Sequence, residues 1–222
     1  LLAVVGGLSV WLLIPDGPFR KPSTRFLFSD LNKIFGDDSF RAPAFGYFGH
    51  MWELYAFWAF VPWAISQYNN GSGEDFSIPL WAFAIIGAGA VGCLTGGLVS
   101  KKIGSKRIAT LALLASGACC FLSPLFFQLS GELFFCGMVF WGLMVVADSP
   151  QFSALVAANA PKEVRGSAIT MTTCIGFAIT IVSIQLLNFC QSIVAPQYLF
   201  LLLAPGPVIG IASLYWRSNE KG

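Results

Sequence analysis

Residues 78–129 read IPLWAFAIIGAGAVGCLTGGLVSKKIGSKRIATLALLASGACCFLSPLFFQL, and this stretch decides the fold. It holds two apolar runs, Ile78 to Ser100 and Ile108 to Leu129, each reaching the ~20 residues that a helix needs to cross the hydrocarbon core of a bilayer. Between them stand Lys101, Lys102, Lys106 and Arg107. Two spanning helices joined by a short cytoplasmic loop produce this alternation, because cytoplasmic loops carry an excess of Lys and Arg. Strands of a closed barrel would show about ten residues of alternating polarity, whereas these runs are apolar on nearly every side.

The same pattern extends outward in both directions. Further apolar stretches of spanning length run from Ala42 to Ser66, Leu133 to Ala158, Ser167 to Cys190 and Tyr198 to Trp216. The sequence therefore predicts an all-α integral membrane protein, a six-helix transmembrane bundle over residues 41–216. Residues 1–14 read as the truncated end of a preceding spanning helix, 15–40 as a cytoplasmic linker and 217–222 as a cytoplasmic tail. Within the linker, Ser29 to Gly36 offers a capping residue and a glycine stop, which predicts a short amphipathic helix on the membrane surface.

Composition agrees. The 222 residues are 56% hydrophobic and 11% charged, against about 25% charged in a soluble domain, so a water-soluble globule is excluded. A net charge of +2 with no basic stripe argues against a nucleic-acid partner. The 6 cysteines fall in apolar runs, and a single histidine rules out a His-rich metal site, so neither a disulfide framework, a metal nor a cofactor is expected. All 13 Lys and Arg residues lie in alternate connections, around the linker, residues 101–107, Lys162 with Arg165, and the tail. The intervening connections, Gln67 to Ser77, Ser130 to Glu132 and Gln191 to Gln197, hold none. This partition predicts a multi-pass protein of the cell membrane with its C-terminus in the cytoplasm. Trp63, Tyr68 and Trp81 would form the outer aromatic belt and Trp216 the inner one.

Ionisable groups inside the spans are the sharpest anomaly. A charged residue at the centre of a span costs about 2.5 to 3.5 kcal/mol on insertion scales, so each needs a reason. His50 and Glu53 lie in the first of the full spans and Asp148 in the fourth. At about 1.5 Å per residue from the cytoplasmic edge they sit roughly 12 to 16 Å deep, near the midplane. His50 and Glu53, three apart, share a helix face; Asp148 shares one with Gln151 and Asn159. The functional reading is a water-accessible cluster that exchanges protons or binds a solute. The alternative is a buried polar clasp, with Glu53 paired to His50 and Asp148 capping a helix broken at Ser149-Pro150.

Other motifs carry less. Gly87, Gly89 and Gly92 match G-x-G-x-x-G, but no strand precedes them, and Ala84, Ala88, Gly92, Gly96 and Ser100 recur every four residues, as in close helix packing. Ser149, His50 and Asp148 have the residue types of a hydrolase triad without a nucleophile elbow. A membrane enzyme built on His50, Glu53 and Asp148 would want them at an interface or beside a metal, and a receptor would want an appended soluble domain. The phenylalanines and tryptophans read for the most part as lipid-facing and packing residues.

The loop from Gly97 to Arg107 resembles the G-x-x-x-D-R-x-G-R-R signature of the major facilitator superfamily, in which it joins the second and third helices of each six-helix half. Gly97, Gly104, Lys106 and Arg107 fit; Lys101 stands at the aspartate position and Ser105 at a basic one. Pro161 to Gly166, with Pro161, Arg165 and Gly166, resembles the family's P-x-x-x-R-G turn. The stretch Phe45 to Trp58 is similar to the opening of a seventh helix in one bacterial branch, and Ala147 to Phe152 to its tenth. The resemblance implies the C-terminal half, helices seven to twelve, with an N-terminal six-helix half as its partner. It also implies a secondary active transporter that moves a small solute by alternating access. Glu53 would be the protonatable group of a proton symport, His50 would tune or relay its proton, and Asp148 with Gln151 would contact solute or help carry the proton. No Lys or Arg lies inside a complete span, which points to a cationic, zwitterionic or neutral solute.

Overall fold

In lipid every backbone N–H and C=O must be paired within its own segment, so the apolar runs have to be helices. The computed structural model, which describes residues 2–15, 34–162 and 164–215, is helical throughout these runs, with no strand among the described residues. The helices are α1 (Leu2–Leu13), α2 (Asp38–Ser72), α3 (Ile78–Ile103), α4 (Ser105–Phe126), α5 (Gly131–Ala147), α6 (Ser149–Asn159), α7 (Arg165–Cys190) and α8 (Pro205–Tyr215). A 3-10 segment, Pro196–Leu203, precedes α8. Helix α1 buries none of its residues. The surface helix expected at Ser29 to Gly36 falls largely outside the described residues, as do Trp216 and the tail 217–222. Ile34 is described, and it is buried in a cluster with Phe40, Ala44, Val156, Ala160 and Ala168.

Among the described residues, 5 helical stretches are long and apolar enough to cross a membrane. The first of the six expected spans, within α2, is not among them. At 35 residues, roughly 52 Å, it is more than long enough, but His50, Glu53 and its polar ends dilute its apolar character. It is the central helix of the bundle, packed against α3, α6, α7 and α8. Asp37 caps its start by accepting from the Ser39 N–H, and Gly73, at φ 74°, ends it in the left-handed region.

Two backbone crossings set the geometry. Where α3 meets α5, a Cβ at Gly92 would come within 2.1 Å of the Leu143 carbonyl oxygen, and one at Gly142 within 2.1 Å of the Ile85 carbonyl oxygen. The small-residue stripe expected on α3 is thus real, but its register differs: Ile85, Gly89, Gly92 and Gly96 are among the buried positions, with Ala84, Ala88 and Ser100 to the side. A spacing of four, three and four follows the 3.6-residue turn, whereas a strict four-residue repeat drifts around the helix. Where α2 meets α8, Gly49 and Gly206 face each other, with the 206 carbonyl 2.3 Å from a would-be Cβ at 49.

Sequence reading also expected one helix from Tyr198 to Trp216. Pro205 and Pro207 lack the N–H groups that would continue an α-helical ladder, and the chain enters as a 3-10 segment before switching to α8. The Leu202 carbonyl at this switch is taken by the Trp52 indole N–H at 3.1 Å. Two of the expected outer-belt residues turn inward. Tyr68 is 3% exposed, stacks on Phe134 at 4.1 Å and donates to the Leu129 carbonyl. Trp81 stacks on Phe135 at 3.8 Å.

Candidate functional site

The Gly49–Gly206 crossing lets α2 sit within backbone contact of α8, which sinks the next turn of α2, His50 and Glu53, into the bundle. Both are 1% exposed, as is Asp148, and Gln151 is 2% exposed. A buried carboxylate survives only with donors around it. Glu53 has three. Its Oε1 accepts from the Trp141 Nε1–H at 2.8 Å and lies 3.5 Å from the Cys120 thiol; its Oε2 accepts from the Ser116 hydroxyl at 2.9 Å. Ser116 and Cys120, four apart, share one face of α4, and Trp141 comes from α5. The Trp141 ring is held between Phe57 at 4.6 Å and Phe200 at 5.2 Å, so its N–H is aimed by packing. The Ser116 hydroxyl also has the Leu113 carbonyl at 3.4 Å. It can therefore turn away and accept a proton carried on Oε2, so the pocket suits the acid as well as the carboxylate.

His50 has different partners. Its Nε2 is 2.8 Å from the Ser149 hydroxyl, and its Nδ1 is 2.9 Å from Asp148 Oδ1. The second approach is a close contact without in-line hydrogen-bond geometry: Asp148 Oδ1 and Trp58 Nε1 are the buried side-chain polar atoms left without a hydrogen bond among the described residues. The ring packs against Tyr47 at 6.1 Å and Phe152 at 6.0 Å, and Phe152 itself fills the notch left by Gly46. Asp148 sits at the break between α5 and α6, where Pro150 interrupts the ladder, but its side chain makes no cap hydrogen bond. Gln151 is buried in the first turn of α6, and Asn159 donates to the Leu155 carbonyl within its own helix.

The expected residues are thus all buried in the bundle but divide into two groups. The clasp between Glu53 and His50 is not formed, because each is drawn to a different neighbouring helix: Glu53 to α4 and α5, His50 to the α5–α6 break. Trp141 is an exception to the reading of the tryptophans as for the most part lipid-facing and packing residues, since it packs and donates at once. Sequence offered one signal for it, its place seven residues before Asp148 and hence on the same face of the helix. Nothing in the sequence singled out Ser116 or Cys120. Trp141→Phe keeps an aromatic group but is smaller and lacks the N–H; losing the hydrogen bond to a charged group is expected to cost about 1.5–3 kcal/mol, with the vacated space adding to it, read as a lower unfolding temperature in detergent.

The loop-motif residues lie at or near two short connections between helices. Gly104, at φ 92°, lies between α3 and α4 in a conformation that side chains rarely adopt. Gly97 is near the end of α3 and a Cβ there would meet nothing within 4 Å. Lys106 stands 4.5 Å over the Tyr215 ring, tying the start of α4 to the end of α8, and Arg107 follows it. Pro161 precedes α7, which opens with Arg165 and Gly166. No group of His, Cys, Asp and Glu among the described residues could hold a metal ion.

A family model described as Major Facilitator Superfamily matches residues 1–222. The comparison with curated proteins found no match. The comparison with solved structures found none either.

Proposed function

Because the chain belongs to the Major Facilitator Superfamily, whose members are secondary transporters of small solutes rather than enzymes, we propose that it takes part in proton-coupled transport with Glu53 as the coupling group. The observation that carries this reading is the Glu53 pocket. Trp141, Ser116 and Cys120 are all able to donate to a carboxylate, and Ser116 can reverse its hydroxyl toward Leu113 when the acid forms. A proton can then bind or leave without heavy atoms moving, which suits a group that must be charged in one half of a cycle and neutral in the other. In this reading the His50–Asp148 pair is a second proton-holding group, and Gln151, three residues after Asp148, supplies an amide for the solute. The loop motifs support assignment of the bundle as the second six-helix half, working against a first half in alternating access. Lys and Arg among the described residues stand at or beyond helix ends, which supports a cationic, zwitterionic or neutral solute.

The test uses the whole transporter in proteoliposomes with an imposed pH gradient and a panel of cationic, zwitterionic, neutral and anionic solutes. Accumulation of a solute from one of the first three classes, collapsed by a protonophore, is expected. Accumulation indifferent to the protonophore would overturn the coupling.

A further inference from the structure

We propose that Ser149 is the proton port of the His50–Asp148 pair, the group through which protons pass between water and the buried imidazole. This deepens the proton-coupled reading above and rests on it for its role in transport. The geometry is a chain of three groups. Asp148 Oδ1 lies 2.9 Å from His50 Nδ1, and His50 Nε2 lies 2.8 Å from the Ser149 hydroxyl. Asp148 and His50 are 1% exposed, while Ser149 is half-buried, so the chain runs from the interior toward the surface and Ser149 is its outer end. Its place at the α5–α6 break frees it from the continuous ladder.

The same connectivity belongs to hydrolase triads, but the neighbouring residue argues against a nucleophile here. In a nucleophile elbow the residue after the serine supplies an oxyanion-binding N–H. Here that residue is Pro150, which has none. What remains is proton transfer. A hydronium on the outer side gives a proton to Ser149 Oγ, and the serine's own hydroxyl proton passes to His50 Nε2. The imidazolium formed is balanced by the Asp148 carboxylate at Nδ1. Release reverses the step, returning the Nε2 proton through Oγ to water. Asp148 is the facing carboxylate; the other titratable groups nearby are Glu53, three residues along α2 with its own donors, and Tyr47, whose ring lies 6.1 Å away. Cys93 of α3 points to the Val146 carbonyl at 3.9 Å, and α8 meets α2 here through glycine backbone.

Nitrogen-15 histidine labelling of the full chain reads this step without a solute, with the His50 signal assigned by its loss in His50→Asn. In the native protein, Nδ1 is expected to carry the proton and Nε2 to accept from Ser149. Ser149→Ala should slow exchange of the His50 ring protons with water by about a hundredfold, the scale at which a positioned group assists proton transfer. Ser149→Thr should restore it. If the alanine variant does not fold, Ser149→Cys, which keeps the volume and weakens the hydrogen bond, should slow exchange in the same direction. A purely structural serine would lower stability and leave exchange unchanged, and that result overturns the proposal. So does covalent labelling of Ser149 by a fluorophosphonate probe, which would make it a nucleophile. Slowed exchange in Ser149→Ala together with intact pH-driven accumulation in Glu53→Gln would keep the port and remove the coupling role of Glu53.

Discussion

Glu53→Gln is expected to reduce uptake driven by a pH gradient by about 100-fold or more, equivalent to ~2.7 kcal/mol on the barrier, while exchange of solute across the membrane at equal pH continues. The amide is close in size to the acid. Its oxygen can accept from Trp141 as Oε1 does, and its NH2 can donate to Ser116, which turns its own hydroxyl to the Leu113 carbonyl. The variant therefore imitates the protonated transporter permanently: it can cycle with solute but cannot release a proton. Folding should change little, by about 1 kcal/mol. Glu53→Leu is the informative contrast, because it leaves the buried Trp141 N–H without its acceptor, while the Ser116 hydroxyl keeps the Leu113 carbonyl, and should lose stability as well as coupling. Uptake and exchange measured side by side in proteoliposomes separate the two effects.

Gly142→Val is expected to prevent folding or to cost more than about 4 kcal/mol, at the extreme of single-substitution effects. Overpacking is tolerated where the obstructing atom belongs to a flexible side chain. At this crossing it is backbone on both helices: Gly142 faces the Ile85 carbonyl and Gly92 the Leu143 carbonyl, each 2.1 Å from a would-be Cβ. Neither helix can yield without separating α3 from α5, and α5 carries both Trp141 and the approach to Asp148. Gly87→Ala and Gly97→Ala are the controls. A Cβ at either meets nothing within 4 Å, so both should be neutral or gain up to ~1 kcal/mol from helix propensity. Thermal unfolding in detergent, followed by loss of the monodisperse species, distinguishes the three variants.

Much of the architecture was legible because the bilayer restricts the alternatives. Apolar runs of spanning length and basic residues in alternate connections each follow from a one-dimensional pattern. His50, Glu53 and Asp148 stood out for the same reason, as ionisable groups where lipid penalises them. Their partners did not. Ser116, Cys120 and Trp141 lie 63, 67 and 88 residues from Glu53 along the chain, and the contacts depend on how α4 and α5 are rotated about their axes. In helices that are apolar on most sides, sequence periodicity carries little information about that rotation. It comes instead from close backbone approaches, such as the one at Gly49 that brings α2 onto α8. The division of His50 from Glu53 was hidden for a related reason: neighbours on one helix face can still be claimed by different helices. The α8 break escaped because hydropathy does not register Pro205 and Pro207 as interruptions of an apolar run.

The most direct test of Glu53 as the coupling group needs no solute. Infrared difference spectra of the whole transporter in lipid, acid minus alkaline across the working pH range, should contain the carbonyl stretch of a protonated carboxyl. That band should vanish in Glu53→Gln and shift in Ser116→Ala, where the acid loses its acceptor. Spectra of native protein and Glu53→Gln that coincide in this region would mean that Glu53 does not exchange a proton, and would contradict the mechanism.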